Sequence, residues 1–438
     1  MRRGLLVAAT VGAVALGSLV VLLGMQPAGG AGPIAALGSP PTGPAASTPA
    51  GSPPPVLQPA ATPWVPPPLP APVGPRPTKK VVTALQVRLD ALRTKYAIPG
   101  ISASIVFDDG SSWTGVSGMA DLAARRRVTP NTAFAVASIS KTFIAALILD
   151  LVSEGRLGLE DKASEYLPEE EMLTGITIRM LLNHTSGLYD YFLHPKIDRA
   201  LRSEPARGWS PARTLGYVAK PYFPPGTGWR YSNTNYLVLG LIAERVGGHS
   251  LAVQLRSRYF EPFGLQSAFY QVAERPTGPT AHGYRFAGLG ASLRPIDLAD
   301  GTGIMPFKSV VTAAGGAGSV AASSLDVARW SRALYGGRVL DAPRLGLMLG
   351  DFDPAPGYKP SIPYGLGVQA LDVNGFPTYG HSGRFIGFRG VVRYVPGDDI
   401  AIAVLTNQSR VDPGLIAASL LRIVLPPPGP CGACPEVS

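Results

Sequence analysis

The chain is poor in the residues that most often carry cross-links or metal chemistry. Of 438 residues two are cysteine, Cys431 and Cys434, and both lie at the extreme C-terminus. Their C-x-x-C spacing lacks the strand-and-helix surroundings of a redox motif and the two further ligands of a zinc site. In an exported chain that leaves a local disulfide and no assigned function. The five histidines are scattered, and neither H-E-x-x-H nor a His/carboxylate cluster stands out, which argues against a metal hydrolase. The G-x-S-x-G elbow of α/β-hydrolases is missing, as is a glycine-rich phosphate loop after a strand. Charged residues make up only 16%. Five of the ten excess positive charges (Arg2, Arg3, Arg76, Lys79 and Lys80) fall in residues 1–80, which hold no acid. No basic run interleaved with aromatics occurs, so nucleic acid is not an expected partner.

What is present begins with an address. Arg2 and Arg3 precede 22 uncharged, mostly apolar residues, Gly4 to Met25, which as a helix would reach roughly 33 Å and cross a bilayer. Residues 1–25 therefore read as a membrane anchor or signal peptide, the single-pass anchor being preferred for its length. The paired arginines place the N-terminus in the cytoplasm and the rest outside. Residues 26–80 contain 18 prolines, three basic residues and almost nothing bulky, so they cannot build a core and read as a disordered spacer. Residues 81–425 form the folded domain and 426–438 a tail.

The folded domain opens with Leu85, Leu89, Leu92 and Tyr96 at helical spacing. "ISASIVF", "DDG" and "SSWTGVSG" then read as a hairpin, matched near the far end by "GVVRYV", "PGDD" and "IAIAVLTN". Helical periodicity dominates between them, over Ala137 to Glu154, Thr177 to Asn183, Asn235 to Val246 and Leu325 to Leu334. The expected class is α+β: an antiparallel sheet built from both chain ends, flanked by helices, with an inserted helical subdomain.

"FAVASISKTFIAAL" places Ser138 and Lys141 three apart, on one face of a helix that is otherwise apolar nearly all round. A buried lysine is costly unless it has a partner or a task. Burial depresses its pKa, letting a neutral amine accept the serine's proton. Two more stretches follow: "WRYSNTNY", with Tyr231, Ser232 and Asn233 before a second apolar helix, and "YGHSGRFIGFRG", with His381, Ser382, Gly383 and Arg384.

S-x-x-K, Y-x-N and H-x-G in that order resemble the penicillin-recognising serine enzymes: class C β-lactamases, D-alanyl-D-alanine carboxypeptidases and related esterases. "TIRMLLNHTSGL" and "GAGSVAASSLDVARW" share the same phrasing, so the resemblance covers about residues 84–424. It implies a β-lactamase/transpeptidase-like fold and acyl transfer without metal or cofactor. Ser138 would be the nucleophile, Lys141 its proton acceptor, and Tyr231 a phenolate-like partner in both half-reactions. Asn233 would hold a substrate amide oxygen and steady Lys141. The main-chain N–H groups of Ser138 and Arg384 would form the oxyanion hole. Ser382 would be one of the substrate-binding residues with Asn233, His381, Gly383 and Arg384, and Gly383 would let an edge strand approach the substrate. His381 stands where many relatives have lysine and is expected to titrate near neutrality; H-x-G is closer to the carboxypeptidase and esterase branches. Arg384 and Arg389 are candidates to grip a substrate carboxylate, and His184 is expected to support the site floor. The implied function is an envelope-anchored hydrolase of D-alanyl peptides or related amides. The alternatives are an esterase or β-lactamase on the same residues, or a non-catalytic muropeptide receptor. The expected partners are a small-molecule or peptide substrate of the envelope and, through the N-terminus, a membrane. Oligomeric state is open.

Overall fold

A computed structural model describes residues 77–288, 292–350, 352 and 362–425. The expected anchor, nearly all of the expected proline-rich spacer and the cysteine tail lie outside the described residues. No helix among those described is long and apolar enough to cross a membrane.

Helix α1 (Lys79–Lys95) starts where Thr78 Oγ1 accepts the Val81 N–H, and it carries Arg93 and Lys95 in its last turn, opposite the helix dipole's negative end. Leu85, Leu89 and Leu92 are its buried stripe. Each such leucine contributes about 1.5–3 kcal/mol relative to exposure. Strands β1 (Gly100–Val106) and β2 (Ser112–Asp121) form the expected hairpin, extended by a short β3 (Arg126–Arg127). Three further strands come from the far end of the sheet region: β4 (Gln369–Val373), β5 (Phe376–Phe385) and β6 (Phe388–Val395). With β7 (Ile400–Thr406) they complete a seven-stranded sheet of order β3-β2-β1-β7-β6-β5-β4. The seam between the chain's two ends is the antiparallel pairing of β1 with β7, from Ile101 opposite Thr406 to Val106 opposite Ala401. Both strands are buried along their whole length, as central strands covered on two faces must be.

One face of the sheet, the outer, is covered by α1 and the C-terminal helix α5; the inner face receives α2, α4 and the helical region. Helix α2 (Ser140–Ser153) is buried on nearly every side, with Phe143 stacked 4.0 Å from Trp330. Helix α3 (Asn233–Gly247) packs beside it. Helix α4 (Ser324–Tyr335) lies against β1, where Ser324 Oγ is 2.7 Å from both Ser102 Oγ and Ser104 Oγ. Helix α5 (Pro413–Val424) joins Leu85, Leu89, Ile402 and Val404 in the outer core. The glycine- and proline-rich stretch Tyr270 to Val310 contains a two-stranded hairpin, Tyr284–Ala287 against Arg294–Asp297.

Candidate active site

The polypeptide enters the site through strain. Between a short strand, Phe134–Ala135, and α2, a 3-10 turn spans Ala137–Ile139, and Ala137 sits at φ 49°, a left-handed conformation that costs a non-glycine residue about 1–3 kcal/mol. That turn presents Ser138 immediately before the N-terminus of α2, where developing negative charge is favoured.

Lys141, in the first turn of α2, is completely buried. Its Nζ donates to Ser138 Oγ at 3.1 Å, to Asn233 Oδ1 at 2.8 Å and to the Ala317 carbonyl at 2.8 Å, so each of its three protons has an acceptor. Burial nevertheless pulls its pKa from 10.5 to about 7, opposed by the charge of Asp190. Near neutral pH both the ammonium and the free amine are therefore populated, one hydrogen bond from Ser138.

Asn233, the first residue of α3, bridges two charges. Its Oδ1 faces the lysine and its Nδ2 donates to Asp190 Oδ2 at 2.9 Å, an arrangement that fixes which way the amide points. Asp190 Oδ1 accepts the Phe192 N–H at 3.1 Å, and burial raises the Asp190 pKa. Sequence reading did not single out Asp190; the available signal was an acid in the aromatic run "LYDYF", a place where a carboxylate needs a buried partner.

Tyr231 is hydrogen-bonded to Ser138, and its pKa is raised, chiefly by burial. The Lys141 ammonium lies 5.0 Å from its ring centroid. The expected phenolate-like base is thus corrected. In the free enzyme the phenol keeps its proton, and Lys141, whose pKa moves the other way, is the group poised to accept one. His184 packs 4.3 Å from the Tyr231 ring, and its Nδ1 accepts the Ser232 N–H at 3.2 Å, so it props the Tyr231–Asn233 segment from below.

His381 departs from expectation. Its Nδ1 is 2.6 Å from the Ser382 carbonyl, which can only accept, so that nitrogen carries the proton; Nε2 then accepts from Tyr364 Oη at 2.9 Å. Burial, with Lys141 nearby, pushes its pKa down to about 3. It is a neutral imidazole across the physiological range and does not titrate near neutrality. Tyr364, in "PYGLG", was not picked out from the sequence because nothing in its spacing ties it to the histidine; only the fold joins them.

The rest of the H-x-G segment is divided by the two-residue period of β5. His381 and Gly383 face inward. Gly383 is required by close approach: a Cβ there would lie 2.1 Å from the Val136 carbonyl, two residues before Ser138. The expectation of an edge strand holds only for half of β5, since β4 pairs with Phe376–Gly380 and stops there. Ser382 and Arg384 have the opposite parity. Ser382 pairs with Val391, and Arg384 with Arg389, on the outer face. Arg389 is 3.2 Å from Asp412, the residue that caps α5. The side chains of Ser382, Arg384 and Arg389 are therefore not brought together with Ser138.

A histidine–carboxylate cluster does form, from positions too far apart to recognise in the sequence. His282 Nδ1 is 2.8 Å from Asp297 Oδ2, its Nε2 is 3.7 Å from Asp121 Oδ2, and one ligand atom from each residue lies within 4.8 Å of the others. Arg126 stands 3.8 Å from Asp121, so a cation already faces that carboxylate. The group is a hydrogen-bonded histidine that joins the end of β2 to the hairpin.

With this geometry in hand, comparison with known proteins defines the class. The family model described as Beta-lactamase matches residues 85–424, and the chain belongs to that family of serine hydrolases. It is 32% identical to penicillin-binding protein 4 of Amycolatopsis lactamdurans over 344 residues, 74% of this chain and 84% of that one. It is 27% identical to a D-aminopeptidase of Cereibacter sphaeroides over 357 residues, covering 81% of this chain but only 65% of the relative's length. Its structure superposes on a D-stereospecific amidohydrolase from Streptomyces sp. with a TM-score of 0.65 at 25% identity, covering 82% and 100% of the two chains.

Proposed function

We propose that this serine hydrolase acts through an acyl-enzyme on D-alanyl peptides or related D-amino-acid amides, as an exported protein anchored in the cell envelope. The observation that carries the chemistry is the three-way hydrogen bonding of a buried Lys141, poised near neutrality, to Ser138, Asn233 and the Ala317 carbonyl. The amine form of Lys141 takes the Ser138 proton as Oγ attacks the substrate carbonyl. The tetrahedral oxyanion is held by the main-chain N–H groups of Ser138 and Arg384, a contribution of roughly 2.7–4 kcal/mol per donor in comparable hydrolases. The proton then passes, with Tyr231 as relay, to the leaving nitrogen, and the C–N bond breaks. Water attacks the resulting ester, its proton returning to Ser138, so that one amide and one water give one acid and one amine. No cofactor enters the scheme. The D-configuration is suggested by the D-aminopeptidase and D-stereospecific amidohydrolase relatives. Export and anchoring rest on Arg2, Arg3 and the apolar run Gly4 to Met25.

The decisive experiment is intact-mass analysis after incubation with a penicillin, beside Ser138→Ala, with release of D-alanine from a D-alanyl-D-alanine peptide measured in parallel. A covalent adduct or product on the parent protein alone supports the scheme. Binding of muropeptide with neither adduct nor product would point to a non-catalytic receptor instead.

A second reading, an esterase using the same residues, is favoured by a specific observation. His381 is neutral, and Arg384 and Arg389, the cations the sequence offered for a carboxylate grip, lie on the sheet's other face. Higher kcat/KM for short p-nitrophenyl esters than for D-alanyl-D-alanine peptides would select it.

A further inference from the structure

Behind the catalytic strand, on the outer face of the sheet, a cavity of about 400 Å³ lies between β4, β5, β6 and the start of α5. That is within the range of about 300–1,000 Å³ typical of small-molecule sites. Its walls are mixed: Val391, Val373 and Ala417 supply apolar surface, and Ser382, Arg389 and Arg393 supply polar groups.

Arg393 is the unusual member. It is 4% exposed, yet among the described residues no carboxylate forms an ion pair with it. Nη2 donates to Gln369 Oε1 at 3.1 Å, and Nη1 is buried without any hydrogen-bond partner. The acids that line the cavity are committed elsewhere. Asp412 bonds Arg389 at 3.2 Å and the Gly414 N–H at 3.0 Å, and Asp372 accepts the Gly375 N–H at 2.9 Å. Burying a guanidinium with no directly hydrogen-bonded carboxylate is expensive: desolvation lowers the Arg393 pKa to about 10, opposed by Tyr335 and by the more distant charge of Asp412, and the group is still charged at neutral pH. The first turn of the 12-residue α5, capped by Asp412, lines the same cavity through Asp412 and Gly414.

We infer that this cavity is a second ligand site, distinct from the Ser138 pocket, which takes a small carboxylate with an apolar body: the carboxylate pairs with Arg393, and the body lies against Val391 and Ala417. A free apolar amino acid and a simple branched-chain acid share this chemistry. The site backs directly onto the reaction centre, because Gln369 Oε1, which holds Arg393, also accepts the Ser382 N–H at 3.1 Å, and the Ser382 carbonyl holds His381.

The test is calorimetric titration and thermal melting of the full chain with 3-methylbutanoate, its uncharged isostere 3-methylbutanamide, and D- and L-leucine. The carboxylate should bind saturably and raise the Tm, the amide should not, and Arg393→Met should bind at least about tenfold more weakly, the cost of losing a charged hydrogen-bonded pair. Binding by leucine as well would identify an amino-acid site; binding by 3-methylbutanoate alone would restrict it to unsubstituted acids. Arg389→Gln, at a half-exposed position, provides a second variant if Arg393→Met does not fold, and should weaken binding several-fold. Lys141→Met, which removes the cation of the other pocket, should leave binding intact. No carboxylate-dependent stabilisation up to about 50 mM, where a millimolar site is nearly full, would overturn the inference. Equal binding of the amide, or loss of binding in Lys141→Met, would overturn it too.

Discussion

The molecule buries two cations on opposite faces of one sheet, and they are handled differently. Lys141 on the inner face has an acceptor for every proton and a pKa near 7; Arg393 on the outer face has one acceptor, one orphaned nitrogen and a pKa near 10. An ammonium brought to neutrality can take a proton from a neighbour. A guanidinium lowered only to about 10 stays charged and can only bind. Desolvation thus yields a base in one place and an anchor in the other, and the deciding factor is the intrinsic pKa from which each starts.

Exchanging the side chains tests that contrast most severely. Lys141→Arg keeps the charge but cannot deprotonate, and hydrolysis should fall by about 10³-fold or more, approaching the loss in Ser138→Ala. Arg393→Lys should leave turnover within a few-fold. Steady-state kcat/KM on one ester and one D-alanyl peptide measures both; comparable losses in the two variants would erase the distinction.

The pH dependence follows with its sign. Lys141 must be unprotonated to act, so kcat/KM should rise about tenfold per pH unit up to about 7 and level off above it. His381, neutral down to about pH 3, should add no limb between pH 5 and 8. Stability carries the same signature. The Lys141 pKa falls from 10.5 unfolded to about 7 folded, so between those values the unfolded chain binds the extra proton. Its contribution to stability is fully present above about 10.5 and is lost as pH falls through 7. Lys141→Met should flatten both profiles.

Two smaller effects probe the support around the inner cation. Gly383→Ala would drive a Cβ to 2.1 Å from the Val136 carbonyl, displacing the strand from the Ser138 turn. A shift near 1 Å costs about 10²-fold in rate. Tyr364→Phe leaves His381 Nε2 without its donor, which should destabilise the fold by about 1–3 kcal/mol. The released tautomer should appear in the imidazole nitrogen chemical shifts, a change that simple loss of packing would not produce.

How far the sequence foretold this depends on how each residue is held. The terminal hairpins, α1, α2, α3 and α4 were legible because each follows a local period. Ser138, Lys141, Tyr231 and Asn233 were singled out because S-x-x-K and Y-x-N, followed by H-x-G, resemble one family's motifs in order, and the fold brings the four together. Asp190, Tyr364 and the Asp121–His282–Asp297 group were not, because their partners are distant in the chain and no spacing encodes the meeting. The H-x-G segment misled in a particular way. Read as a string, Ser382 and Arg384 accompany His381 and Gly383; folded as a strand, alternate side chains go to opposite faces.

Arg384→Ala isolates that last point. If the guanidinium gripped a substrate carboxylate, its removal would raise KM for D-alanyl-D-alanine peptides by tenfold or more while sparing neutral esters. On the register observed, Arg384 lies opposite Arg389 on the outer face and is exposed, so only its main-chain N–H can serve the oxyanion, and that group survives the substitution. The expected change is below about twofold for both substrate types, the scale of a surface substitution away from the chemistry. Arg384→Pro deletes the N–H itself and should lose about 10²–10³-fold on both substrates, without the preference for carboxylate-bearing peptides that a side-chain grip requires.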